Sequence, residues 1–194
     1  MMTAGPVRRL GRARRFAVPL AAVVLALAVV GVAGARSDPP PASGPLGGTN
    51  TTIEAGVGMS SLSLGETFCY GLVVLRNASR RQVTLNRVMV HGGQGLRVGP
   101  PQVLGPRRSD TIGTARSCPR GARPLSGYAV PPGAGVGDDL GVEVLLPITV
   151  TRPGKSRIDG VSVVYRSDGG TYRVDDVTDV VACTYRCDSA PGGR

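Results

Sequence analysis

The sequence predicts an all-β domain, a two-sheet antiparallel sandwich of about seven strands, preceded by one apolar N-terminal helix. Three observations carry this. Gly and Pro number 29 and 16 of 194 residues, and both break helix interiors. No window after residue 50 repeats apolar residues at i, i+3, i+4 and i+7, whereas several alternate strictly. The first 35 residues are a basic segment followed by an uncharged apolar run.

Residues 1–15 carry Arg8, Arg9, Arg12, Arg14 and Arg15 and no acid. Residues 16–35, Phe16 to Ala35, carry no charge. A helix of that length spans about 30 Å, the thickness of a bilayer's hydrocarbon. Basic residues before such a run hold the N-terminus in the cytoplasm, so the rest of the chain is expected outside. Ala33-Gly34-Ala35 offers a signal-peptidase site after Ala35, which would make the product secreted. The run exceeds the usual signal core of about 7–15 residues, which favours an uncleaved single-pass anchor in the cell membrane. Residues 36–50 hold Pro39, Pro40, Pro41 and Pro45 among Gly, Ser and Asn, the composition of a linker. Residues 51–194 then form the extracytoplasmic domain, long enough for one core.

Within that domain the clearest strand is Leu140–Thr151. Leu140, Val142, Val144, Leu146, Ile148 and Val150 share a face, with Gly141, Glu143, Pro147 and Thr149 opposite, which reads as a half-buried strand, and Pro147 is expected at a sheet edge. Phe68–Leu75 is apolar on both faces and is placed centrally. Val83 and Leu85 have the opposite parity to Val88 and Val90, and a bulge near Asn86–Arg87 would turn both pairs to the core. Val161, Val163 and Tyr165 alternate, Ser167-Asp168-Gly169-Gly170 makes a turn, and Tyr172 and Val174 follow, which reads as a hairpin. A last strand runs from about Val177 to Thr184. Residues 99–137 are expected as long loops with one or two short strands. A small barrel is the alternative architecture.

Cys69, Cys118, Cys183 and Cys187 all follow the apolar run. An even number in an exported domain reads as two disulfides. Cys183 and Cys187 pair only if Thr184-Tyr185-Arg186 turns, because four extended residues span about 13 Å. The preferred scheme is 69–118 with 183–187.

The chemistry-bearing residues are few. His91, the single histidine, reads better as a strand-end residue than as a base or ligand. There is no G-x-S-x-G elbow, and the proposed disulfides leave no thiol nucleophile. A zinc site from His91, Cys183 and Cys187 lacks a second Cys pair. Gly133-Ala134-Gly135-Val136-Gly137 lacks the Lys-Ser/Thr of a phosphate loop. Asp138, Asp139, Asp175, Asp176 and Asp179 lack calcium-loop spacing. Asn50-Thr-Thr and Asn77-Ala-Ser match the glycosylation sequon. No catalytic residue, cofactor or metal is assigned.

Charge is more telling. Between Arg76 and Arg123 there are ten arginines against one acid, Asp110, a net of +9. Arg76, Arg80, Arg81, Arg87, Arg97, Arg107 and Arg108 are candidates for an anion-binding patch on lipid headgroups or a cell-wall polymer. Arginine-rich codon usage is the competing reading of the same residues. Nucleic acid is not an expected partner, because stacking aromatics are missing.

The preference for Arg over Lys, the Ala/Val-rich anchor and the Pro/Gly stalk resemble exported proteins of high-GC Gram-positive, actinobacterial type. Gly154-Lys155-Ser156-Arg157-Ile158-Asp159-Gly160-Val161 before Tyr165 is similar to the late strands of bacterial immunoglobulin-like domains. The resemblance implies an immunoglobulin-like sandwich at the cell envelope and attaches no activity to it. The expected function is a non-catalytic binding or scaffolding module whose partner is an anionic polymer, lipid or unidentified envelope protein. The alternatives are an exported enzyme and an accessory subunit of a membrane complex.

Overall fold

The computed structural model describes residues 44–48, 56–106, 110–137 and 139–186. All of them belong to the second of two units, Asp38–Arg194, the first being Met1–Ser37. The apolar run 16–35, the basic segment 1–15 and most of the 36–50 linker therefore lie outside the described residues, as do Arg107, Arg108, Asp138 and Cys187. Among the described residues no helix is long and apolar enough to cross a membrane.

The described chain is all β: β1 Leu46–Gly48, β2 Gly56–Met59, β3 Thr67–Asn77, β4 Val83–Gly92, β5 Leu96–Val98, β6 Gln102–Leu104, β7 Gly113–Ala115, β8 Arg123–Pro124, β9 Ala129–Val130, β10 Val142–Val150, β11 Lys155–Ser167, β12 Gly170–Asp176 and β13 Asp179–Cys183. Thirteen strands replace the expected seven or so. The surplus is short: β5 to β9 are two or three residues each. Prolines and glycines interrupt them, yet their backbone groups still find ladder partners, as buried backbone must.

The strands form two sheets. One is ordered β1-β3-β10-β6-β8, with β5 beside β10 and β7 beside β3; the other is ordered β2-β13-β11-β4-β9, with β12 beside β11. All pairs are antiparallel except β2 with β13. One apolar core lies between the sheets, filled by Phe68, Tyr70, Val73 and Leu75 of β3, Val144, Leu146 and Ile148 of β10, and Val161, Val163 and Tyr165 of β11. Full burial of each such side chain contributes about 1.5–3 kcal/mol before entropy is counted.

Three of the four long strands change parity at a bulge. In β4 the register runs from Leu85↔Tyr165 to Arg87↔Val164 and skips Asn86, as the sequence predicts. In β11 it skips Asp159, so Ile158 and Val161 both reach the core. In β3 it runs from Tyr70↔Leu146 to Val73↔Val144, one residue longer than β10. That third bulge is invisible in a sequence apolar on both faces.

β10 corrects two expectations. It is an interior strand, with β3 on one side and β5 and β6 on the other. Pro147 is tolerated because its carbonyl accepts from Gly99 N–H at 2.7 Å in the gap between β5 and β6. N–H and C=O of one strand residue point the same way, so the missing N–H also faces that gap. Nor is β10 half-buried: Glu143 and Leu145, on the far face, are buried too, Glu143 accepting from Ile112 N–H at 2.6 Å.

Cys69 and Cys118 form a disulfide with Cα atoms 5.0 Å apart, tying the segment after β7 to β3. Cys183 is disulfide-bonded as well. The 183–187 half of the predicted scheme turns on Cys187, outside the described residues.

Candidate functional site

The β11–β12 hairpin orders the outer face of the six-stranded sheet. Its turn is Asp168-Gly169, with φ of 51° and 77°, closed by the Ser167↔Gly170 pair. Two consecutive positive φ values make a type I′ turn, which matches strand twist and favours Asp-Gly. The register then follows. Val161, Val163, Tyr165 and Val174 face the core, so Ser162, Val164, Arg166, Arg173 and Asp175 face outward.

Val164 lies between Arg173 of β12 and Arg87 of β4. It is 1% exposed although it lies outside the apolar cluster between the sheets. Arg166, one outward position further, sits between Thr84 and Thr171. Arg87 and Arg166 are exposed and have no ion-pair partner among the described residues. Arg173 Nε meets Asp175 Oδ1 at 2.9 Å. At this end a polar hollow of about 330 Å³ is lined by Gln82, Thr84, Arg166, Ser167 and the turn. Ser167 Oγ is buried and has no hydrogen-bond partner among the described residues. An Arg81–Asp168 ion pair ties the β3–β4 turn to the hairpin turn.

Toward the other end, the same face changes chemistry. Ser162 Oγ donates to Asp175 Oδ1 at 2.5 Å and meets His91 Nε2 at 2.6 Å. A hydroxyl has one proton, so His91 Nε2 is the donor of the second bond. These groups, with Asp159 and Arg173, line an open hollow of about 300 Å³. A serine nucleophile needs access and a base that takes its proton. Here Ser162 is 1% exposed and its hydroxyl proton is directed at a carboxylate rather than at the imidazole. The chain orients His91 and Asp175, and the face offers donors and acceptors side by side. Among the described residues no group of three or more His, Cys, Asp or Glu could hold a metal ion.

The predicted arginines divide. Arg76 is at the end of β3, and Arg97 pairs with Thr149, which pairs with Thr67 at the start of β3. Nine residues of strand, about 30 Å, separate those two levels. Both belong to the seven-stranded sheet. Arg80 and Arg81 occupy the β3–β4 turn, and Arg87 lies on the outer face of the other sheet, beside Arg166 and Arg173. The last two fall outside the counted 76–123 stretch, although the hairpin's alternation carries the signal for both.

Other motifs are absorbed by structure. Asp139 accepts from Gly135 and Gly141 N–H at 3.3 and 3.0 Å, capping the Gly-rich loop from within. Asp175 faces out, Asp176 faces in, and Asp179 pairs with Arg157, so these acids do not gather. Asn77 is fully buried and its amide donates to the carbonyls of Arg81, Val130 and Pro131, which withdraws the sequon from the folded surface. Inside the sandwich, Asp176 Oδ1 accepts from Thr178 N–H at 3.0 Å while Oδ2 has no partner among the described residues. Burial raises the Asp176 carboxyl above its ordinary range, against the opposing hydrogen bonds from Thr178. Burial, and after it the charge of Asp176, pushes the Tyr70 phenol well above its ordinary value.

No family model and no curated protein matches the chain. Among solved structures it is similar to the CooA pilin subunit from enterotoxigenic Escherichia coli, at 12% identity over 72% of this chain and 98% of that one, with a TM-score of 0.33. It is also similar to the Vibrio cholerae VesB protease, at 11% identity and a TM-score of 0.32 over 72% of this chain. The chain spans about a third of that protease's length, 32%.

Proposed function

We propose that the chain is a non-catalytic binding or scaffolding module of the cell envelope. In this reading an immunoglobulin-like sandwich is carried outside the membrane by residues 16–35, or released if cleaved after Ala35. It takes an anionic polymer or lipid headgroups on the outer face of the six-stranded sheet. The observation that supports this is the pair of exposed guanidiniums, Arg87 and Arg166, on adjacent strands of one outer face, neither with an ion-pair partner among the described residues, with Arg166 lining a polar hollow. Two cations held by adjacent strands meet successive negative groups of a polyanion without rearrangement.

The test is co-sedimentation of the full-length protein with anionic liposomes and with purified anionic wall polymer. Binding is expected to fall steeply between about 0.05 and 0.5 M salt, as the screening length shortens. Arg87→Ala with Arg166→Ala is expected to lose about tenfold in affinity, while Arg76→Ala with Arg97→Ala changes little. Equal losses from both pairs, or no binding at low salt, overturn the proposal.

One observation favours the enzymatic alternative: His91, Ser162 and Asp175 are joined by short hydrogen bonds. A serine-reactive phosphonate that labels Ser162 would establish that reading in place of the first.

A further inference from the structure

The far edge of β4 is only partly covered. β9 pairs with Val83 and Thr84 alone, and Leu85 exchanges bonds with Gly127 and Tyr128. Beyond Asn86 no described strand lies on that side. The hairpin turn fixes which backbone groups this leaves open. Ser167 and Gly170 close a two-residue loop and bond each other, so Tyr165, Val163 and Val161 direct N–H and C=O to β12. Val164 and Ser162 therefore direct theirs to β4, where Arg87 and Met89 lie opposite. Val88 and Val90, between and beyond them, turn their N–H and C=O to the open edge. No described backbone group outside the sheet ladder bonds either residue.

A groove of about 250 Å³ runs beside this edge, walled by Val88, Pro100, Pro101, Pro124 and Leu125, with Arg87 at its rim. Its volume lies just under the range of about 300–1,000 Å³ for whole small-molecule sites, a size for one or two side chains. The three prolines have no N–H and so offer the edge no backbone donor. Val88 faces the core side, where the groove lies, and Arg87 faces outward.

We propose that this edge takes up an extended acidic–apolar peptide of a partner protein by β-augmentation. Its backbone completes the Val88 and Val90 rungs. Its apolar side chains, every second residue, enter the proline-walled groove, and its acidic residues meet the exposed, unpaired Arg87. Charge selects this occupant over a second copy of the chain, which would bring its own Arg87 to the same rim. The inference goes beyond polymer binding and uses a different edge of the molecule, with Arg87 the one shared residue.

The test is amide hydrogen exchange on the full-length protein with an acetylated heptapeptide alternating glutamate and valine. Saturable protection of the Val88 and Val90 amides is expected. Val88→Pro, which removes one outward N–H at an edge where proline is tolerated, is expected to weaken the peptide about two- to tenfold. N-methylation of the peptide's valines is expected to abolish binding, with no change to the protein. Arg166→Ala is expected to spare peptide binding, so that loss of the polymer site and loss of this site are told apart. Unchanged exchange at saturating peptide, equal binding of a lysine–valine heptapeptide, or edge protection that grows with protein concentration alone would each overturn the inference.

Discussion

The β11–β12 hairpin and the stretch from Gly99 to Gly137 are held by opposite means. The hairpin carries its own instructions: a two-residue Asp-Gly turn, alternation on both arms, and seven paired positions between Val161↔Asp176 and Ser167↔Gly170. Among its described residues the other stretch has four strands of two or three residues. It is fixed from outside, by a disulfide to β3, by the Asn77 amide and by Glu143. Local pairing is reached at little entropic cost, whereas contacts across long loops need pins strong enough to offset loop closure. The two regions should therefore fail differently when a pin is removed.

The largest effect is expected at the disulfide. Cys69 and Cys118 are 49 residues apart, for which the chain-entropy estimate is about 4 kcal/mol. Cys69→Ala with Cys118→Ala should lower stability by that order in denaturant melts. Amide protection should be lost first around β7 and persist longest in the hairpin. Simultaneous loss in both regions would show that the two are one cooperative unit and break the comparison.

Asn77→Ala comes next. The residue is fully buried, donates to three carbonyls and accepts from Ser79 N–H and Oγ at 3.2 and 2.6 Å. Leaving these partners unsatisfied should cost about 2–3 kcal/mol. Asp is the informative second variant, because it keeps the acceptor and deletes the donors. If Asn77→Asp is as stable as the parent, the donors pin nothing.

The hairpin's own pin is smaller. Gly169 has a φ of 77° and open space where a Cβ would stand, so a substitution there is penalised by backbone conformation alone. Gly169→Val should cost about 1–2 kcal/mol. It should also move the cross-strand signals of Arg166 and Thr171 while leaving the β7 segment unperturbed.

The same contrast explains what could be read in advance. The hairpin, the Asn86 bulge and the last strand were legible because each signal lies within a dozen residues. Arg166 and Arg173 were legible by the same alternation, but counting charge along the chain hides a face built from three strands. The β3 bulge was not legible, since a strand apolar on both sides gives no parity to follow. Pro147 suggested an edge because a sequence cannot show that two short strands meet beside it and leave a gap. The His91–Ser162–Asp175 chain needed the register of β4 against β11, which is set by two bulges, one of them at Asp159.

The smallest effect tests the inner end of the hairpin. Asp176 is 3% exposed, and one of its oxygens has no partner. Its folded-state carboxyl holds a proton more tightly than the ordinary Asp value of 3.8, so the folded state binds more protons than the unfolded one above that pH. Its contribution is therefore complete below 3.8 and is lost as pH rises through the folded-state value. Asp176→Asn keeps an acceptor for Thr178 and removes the titration. The difference in stability between variant and parent should widen as pH rises above 3.8 and level off once the folded-state carboxyl has ionised. A difference that stays constant with pH would mean that Asp176 is as well accommodated ionised as protonated. The hairpin's last residue would then owe its position to the Val161 ladder alone.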